Sequence, residues 1–314
     1  MKPVCKSRSV RIGRSVVAQT PLPLPSFSSQ ALDSDLPDTV ARIGDIVFGP
    51  ILISAFDLHH GNLSSSQGEK ATFNLPLTFI DSGGYENLRL KKHEKLSTEQ
   101  YFRALEEWPH DVRTVAVNYD CPSDDLGQQI ESAVSLCPGR ELGRELLLKP
   151  TERVPIAGLI NQFSSHVEAL SKIDVVGVTE KEAGASLVDQ LRVIASLRQQ
   201  LDRIGLDDLP VHIFGGLDPI RTPLYFLAGA DIFDGLAWLR YGFELGRAVY
   251  IKPFAALEYP NLPLQEAEWR IRQSNFIEVT KLQTAMRKFM ATQKPPDLHP
   301  KGDKLVALLD SIEL

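Results

Sequence analysis

Two acidic residues stand where catalysis would want them: Asp81, in Asp81-Ser82-Gly83-Gly84-Tyr85-Glu86, and Asp234, in Asp231-Ile232-Phe233-Asp234. Each closes a short apolar run of the kind that makes a buried strand. Asp120, in Asn118-Tyr119-Asp120-Cys121-Pro122, Asn161, Thr179 and the pair Gly215-Gly216 follow other apolar runs in the same way. Parallel strands joined by helices end on one side of their sheet, so residues just past those ends share a rim. Two carboxylates facing each other across a rim have the makings of a retaining glycosyl transfer. One attacks the anomeric carbon, and the other protonates the leaving group and then deprotonates the incoming one. On the segment 231–234 alone, an ordinary polar end to a buried strand is the competing reading.

The elements that would position these residues alternate along the chain. Val211 to Gly242 reads as strand, helix opened by Pro219, and strand stopping at Asp234. Before it come a flexible basic lead over 1–15, a short β segment Ser15 to Gln19, and Thr20-Pro21-Leu22-Pro23-Leu24-Pro25, whose prolines exclude a helix and a central strand. Ala31 to Thr39 reads as loop and Ile46 to Ser54 as strand, with Asp57, His59 and His60 beyond it. Leu77 to Ile80 is the next strand, and Ser97-Thr98-Glu99-Gln100 is a capping box opening a helix with Tyr101, Leu105 and Trp108 on one face. Val112 to Val117 is a strand, and Gly139 to Leu148 an Arg-rich helical stretch. Pro155 to Ile160 is a strand delivering Asn161 and Gln162. Helix 163–172, strand 173–178 and a long helix from Lys181 to Ile204 complete the series.

That alternation, without a GxGxxG turn or a P-loop, predicts a (β/α)8 TIM barrel with a C-terminal helical extension rather than a doubly wound sheet. The barrel is assigned to residues 1–252 and the extension to 253–314. The extension has a proline-rich connection from Pro253 to Pro263 and one long helix from Leu264 to Thr292, with Trp269, Phe276, Val279 and Leu282 as its packing face. At 314 residues and 43% hydrophobic composition the chain can bury a large core. No apolar run approaches the ~20 residues that span a bilayer, so a cytoplasmic protein with no membrane partner is expected. Cys5, Cys121 and Cys137 are too scattered for a disulfide framework or a CxxC metal site. The net charge of −6 disfavours, without excluding, a nucleic-acid partner. Local basic clusters are Lys6/Arg8/Arg11/Arg14, Lys91/Lys92/Lys95 and Arg140/Arg144.

The same motifs resemble those of the tRNA-guanine transglycosylases. Asp81-Ser82-Gly83-Gly84-Tyr85 is similar to the family's DSGG[FY] motif, and Asp231-Ile232-Phe233-Asp234 to its D[MI]FD motif. Thr20-Pro21, the stretch 51–61, Tyr119-Asp120-Cys121-Pro122, Gly158-Leu159-Ile160-Asn161 and Phe214-Gly215-Gly216 resemble further family segments in the same order, across roughly residues 11–250. The resemblance implies an enzyme that exchanges guanine in a nucleic acid, a tRNA-type polymer, for a 7-deazaguanine-type base. Asp234 would attack C1′ to form a covalent ribosyl ester, with Asp81 as acid and base. Asp120 would accept from guanine N1–H and its amine, Tyr85 and Phe214 would stack on the base, and Ser82 and Asn161 would add polar contacts. Gly215 and Gly216 would line the site, and Arg240, after Leu236-Ala237-Trp238-Leu239, would meet the nucleic-acid backbone.

Residues 243–314 contain no cysteine, so the family's Cys-x-Cys-x-x-Cys…His zinc site has no counterpart. No metal and no cofactor are expected. Assembly is left between a homodimer and a partner subunit replacing the zinc subdomain, and grip on the polymer would fall to Lys91, Lys92 and Arg240. The alternatives are the same exchange on DNA, a catalytically silent binding subunit, and a glycosidase on small nucleosides. Retention of both Asp81 and Asp234 argues against the silent subunit.

Overall fold

The computed structural model describes residues 5–31, 36–43, 46–47, 49–63, 77–87, 95–110, 112–137 and 139–312. An antiparallel hairpin, β1 (Ser9–Ile12) and β2 (Ser15–Gln19), opens the chain. Eight parallel strands follow: β3 (Leu22–Phe27), β4 (Ile51–Ser54), β5 (Thr78–Asp81), β6 (Thr114–Val117), β7 (Gly143–Leu147), β8 (Val175–Thr179), β9 (Val211–Phe214) and β10 (Ile232–Gly235). Each pairs with the next and β10 pairs with β3, closing a (β/α)8 TIM barrel.

Strand side chains alternate, so the barrel interior is read in steps of two. Leu22, Leu24, Leu52, Phe79, Val115, Val117, Leu147, Val175, Phe214 and Ile232 pack as one cluster, joined by Val10 and Ile12 of the first hairpin. The same steps lead from this lining to Ser26, Ser54, Asp81, Lys149, Thr179 and Asp234 at the carboxyl ends. Asp231 lies at the other end of β10. Its Oδ1 accepts from Arg8 Nη1 at 2.8 Å and its Oδ2 from the Val211 N–H at 2.9 Å, with both side chains of the ion pair buried. The motif's first aspartate thus holds the hairpin to the barrel, and the second faces the mouth.

Several sequence expectations are corrected. Residues 9–12 of the supposed flexible lead form β1, buried at Val10 and Ile12. The proline-rich segment is a central barrel strand, β3. Its Leu22 N–H donates toward β10, to Asp231 O at 2.9 Å, so alternation turns Pro23 and Pro25 toward β4, where pairing begins only at Ser26. The missing donors therefore fall where no ladder bond is made. Starting inside the segment 31–39 read as loop, Leu36–Ile43 is a helix burying Leu36, Val40 and Ile43 at helical spacing.

Gly143–Leu147, read as helical, is strand β7, and Ile156–Asn161, read as a strand, is a helix. Residues 142–148 are buried on both faces except at Arg144, which hides the alternation of a strand. Ile156, Leu159 and Ile160 are buried at i, i+3 and i+4, which a short apolar run cannot distinguish from a strand.

After the barrel, β11 (Tyr241–Glu244) and β12 (Arg247–Tyr250) form a hairpin, and the long helix spans Leu264–Thr292 as expected. Its Trp269, Phe276 and Val279 are buried and Leu282 partly so, in one cluster with Trp238, Leu239 and Phe243. From this helix Asn275 donates to Trp238 O at 2.6 Å and Tyr241 O at 2.8 Å, and accepts from the Phe243 N–H at 2.8 Å. Among the described residues no helix is long and apolar enough to cross a membrane.

Candidate active site

Asp234 ends β10 with its side chain almost wholly enclosed. Its Oδ2 accepts from the Ser26 hydroxyl at 2.8 Å, and its Oδ1 from the Gly215 N–H at 2.9 Å. Gly215 turns the chain with φ +80°, a conformation that suits glycine and aims its N–H at the carboxylate. His212 Nε2 lies 3.3 Å from the same Oδ1, close enough for charge but off line for a well-formed hydrogen bond. The predicted shared rim of Gly215 and Asp234 is thereby present. The Gly216 carbonyl accepts from Thr222 Oγ1 at 2.9 Å.

Asp81 ends β5 and is neighbour to three other carboxylates. Burial first, then the charges of Glu86, Asp120 and Asp234, push its carboxyl up to about 7, against a smaller opposing effect of the Ser82 N–H. Glu86, itself buried, accepts from Ser28 Oγ at 2.5 Å and Ser54 Oγ at 3.1 Å. Ser82 Oγ is buried with no hydrogen-bond partner among the described residues. A lone buried hydroxyl beside a carboxylate is costly unless something else satisfies it. Asp57 is spent on its own loop, accepting from the Ser29 N–H at 3.0 Å and Asn62 Nδ2 at 3.0 Å.

Asp120, after β6, is seated against Gly84: a Cβ there would lie 2.4 Å from Asp120 Oδ2, so the second glycine of the motif admits this carboxylate. Asp120 Oδ1 is 3.0 Å from Lys149 Nζ, which also lies 2.8 Å from Glu182 Oε1. Burial raises Asp120, and Lys149 partly offsets the rise. The ends of β6, β7 and β8 are thus bridged by one ammonium between two carboxylates. Thr179 caps the next helix through the Glu182 N–H at 3.1 Å.

Tyr85 and Arg240 meet at the mouth, Arg240 Nη2 donating to Tyr85 Oη at 2.7 Å. Phe214 is packed in the barrel lining, stacked on the His212 ring with centroids 4.0 Å apart at 28°. Asn161 is not brought to the site. It ends an outer helix with an exposed side chain, because the segment before it is not a strand. Lys91 and Lys92 lie outside the described residues.

Ser26, Glu145, Lys149, Glu182 and His212 were not anticipated. The signal for His212 was the step of two along a strand already expected around it, whereas Ser26 was hidden by reading the proline-rich segment before it as no central strand. Glu145 and Lys149 were hidden by reading β7 as a helix. Among the described residues no group of three or more His, Cys, Asp or Glu is arranged to hold a metal ion. The chain matches no protein-family model, and no curated protein matches it.

Proposed function

We propose that the chain is a guanine transglycosylase that exchanges guanine in a nucleic acid for a 7-deazaguanine-type base. The observation that carries this reading is the contrast between two carboxylates at one barrel mouth. Asp234 is held by the Ser26 hydroxyl and the Gly215 N–H, while the Asp81 carboxyl is pushed up to about 7. A nucleophile should be a fixed carboxylate, and an acid/base group should gain and lose its proton near the working pH.

In this reading Asp234 attacks C1′ of the target nucleotide. Asp81 gives its proton to the departing guanine and takes one from the incoming base, which then displaces the ester. Guanine presents an acceptor, O6, beside two donors, N1–H and the amine. The Asp120–Lys149 pair offers a matching acceptor beside a donor, so Lys149 takes the part expected of Asn161. Ser82 Oγ is a further polar group free for the base. Tyr85, steadied by Arg240, is the stacking face, and Phe214 on His212 forms the floor.

The test is incorporation of labelled guanine by the pure protein into tRNA and into duplex or single-stranded DNA, run in parallel. Label in either polymer supports the reading and assigns the substrate. No label in any of them, with release of free base from nucleosides instead, would replace it with the glycosidase.

A further inference from the structure

Beneath Asp234 lies an ionisable pair that the exchange above leaves unused. His212 on β9 and Glu145 on β7 are both fully buried, with His212 Nδ1 2.7 Å from Glu145 Oε1. The other ring nitrogen, Nε2, is 3.3 Å from Asp234 Oδ1. Phe214 stacks on the ring and Phe79 meets it edge-on at 5.9 Å, so it cannot swing away without unpacking the barrel lining. Among the described residues these two carboxylates, from β7 and β10, are the charged groups facing it. A neutral imidazole has one N–H and could satisfy only one of them. An imidazolium has two, and its charge reaches Asp234 although Nε2 is off line for a well-formed hydrogen bond. Burial by itself would lower the ring's affinity for a proton, but the charges of Glu145 and Asp234 outweigh it and push His212 up to about 9.

We infer that Glu145 and His212 are positioning residues for Asp234: they hold Oδ1 in place, leave Oδ2 as the attacking oxygen, and stabilise the carboxylate as it departs from the ester. The inference rests on the transglycosylase reading. Oδ1 receives the Gly215 N–H and faces the imidazolium, whereas Oδ2 receives only the Ser26 hydroxyl. In the first half-reaction an Oδ2 lone pair forms the bond to C1′, the C1′–N9 bond breaks, and the base leaves with the Asp81 proton. In the second, N9 of the incoming base bonds to C1′ as Asp81 takes its proton. The C1′–Oδ2 bond breaks as the new one forms, and its electron pair returns to Asp234 beside the cation. A fixed cation makes Asp234 a weaker nucleophile but a better leaving group. Its loss therefore slows the second half more than the first, and the ester accumulates.

Glu145→Gln keeps the shape and removes the charge that sustains the imidazolium; His212→Gln removes the ring. The expected result for Glu145→Gln is a second half-reaction slower by roughly 10²-fold, as for loss of one preorganised charge-stabilising donor. The first half should change far less, and more ester should appear on denaturing gels at limiting base. The alkaline limb of exchange should move to lower pH than in the unaltered protein. Equal slowing of both halves with an unmoved limb, as from a merely structural change, would overturn the inference. Should both variants fail to fold, 15N spectra of histidine-labelled unaltered protein decide: an imidazolium persisting through pH 8 supports it, and a neutral ring at pH 7 overturns it. Unaltered protein that exchanges no base in tRNA or DNA would remove the transglycosylase reading itself. The positioning role would then fall with it, even where the spectra show an imidazolium.

Discussion

Arg240 Nη2 donates to Tyr85 Oη across 2.7 Å, lacing the short helix after β10 to the short helix after β5. The side chain that would meet a nucleic-acid backbone is therefore also the one that steadies the stacking face. Arg240→Ala should weaken binding of the polymer by about tenfold, the scale of one charge-assisted hydrogen bond, and flatten its salt dependence by about one phosphate contact. Fluorescence anisotropy titrations from low to high salt read both. Unchanged affinity and slope would take Arg240 out of the interface.

Asp234→Asn should fold normally, still bind nucleic acid, and exchange no labelled guanine. Its amide oxygen can accept from the Gly215 N–H while its amide nitrogen donates to Ser26 Oγ, so little change in melting temperature is expected from these two contacts. Mass spectrometry finding a covalent adduct on the Asn variant would refute the assignment of the nucleophile.

Asp81→Asn should slow exchange by roughly 10²–10⁴-fold with little effect on base binding. If Asp81 is the acid of the proposed exchange, its protonated form serves the first half-reaction and is lost as pH rises through about 7, so single-turnover guanine release should fall above that pH. Variant turnover near that of the unaltered protein would move the role elsewhere. Asp57 is a poor substitute, since its oxygens already accept from Ser29 and Asn62.

The same carboxyl carries a stability signature. Its folded value, about 7, lies above the ordinary carboxylate range, so its contribution is fully present below the unfolded value and is lost as pH rises through about 7. Asp81→Asn should accordingly raise the melting temperature at pH 8 and change it little at pH 4. Calorimetry showing the opposite order would mean that Asp81 is ionised at little cost in the native protein.

Asn275→Ala should destabilise the chain by on the order of 2–4 kcal/mol, because it strands the Trp238 and Tyr241 carbonyls and the Phe243 N–H inside the protein. The urea midpoint measures the loss. A shift worth under about 0.5 kcal/mol would mean that water reaches those groups.

Much of the barrel was legible because burial leaves a local mark. Apolar runs such as 211–214 stop at polar residues where strands leave the core, so Asp81, Asp120, Gly215 and Asp234 could be placed on a rim from their neighbours alone. The capping box at Ser97 and the bounds of the 264–292 helix are local too, set by side-chain hydrogen bonds within one turn and by flanking prolines. What local pattern could not carry were choices made by partners far along the chain. Pro23 and Pro25 are tolerated in β3 because of where β4 begins to pair with it. Gly143–Leu147 is a strand because β6 and β8 offer it a ladder on both edges, which outweighs the helix preference of its Glu and Leu residues. That exchange of elements put Lys149 rather than Asn161 beside Asp120. His212 and Glu145 stand 67 residues apart, and each alone reads as an odd polar residue in an apolar run. Only closure of the barrel gives each a partner, because a charge can stay buried only where an opposite charge is brought against it.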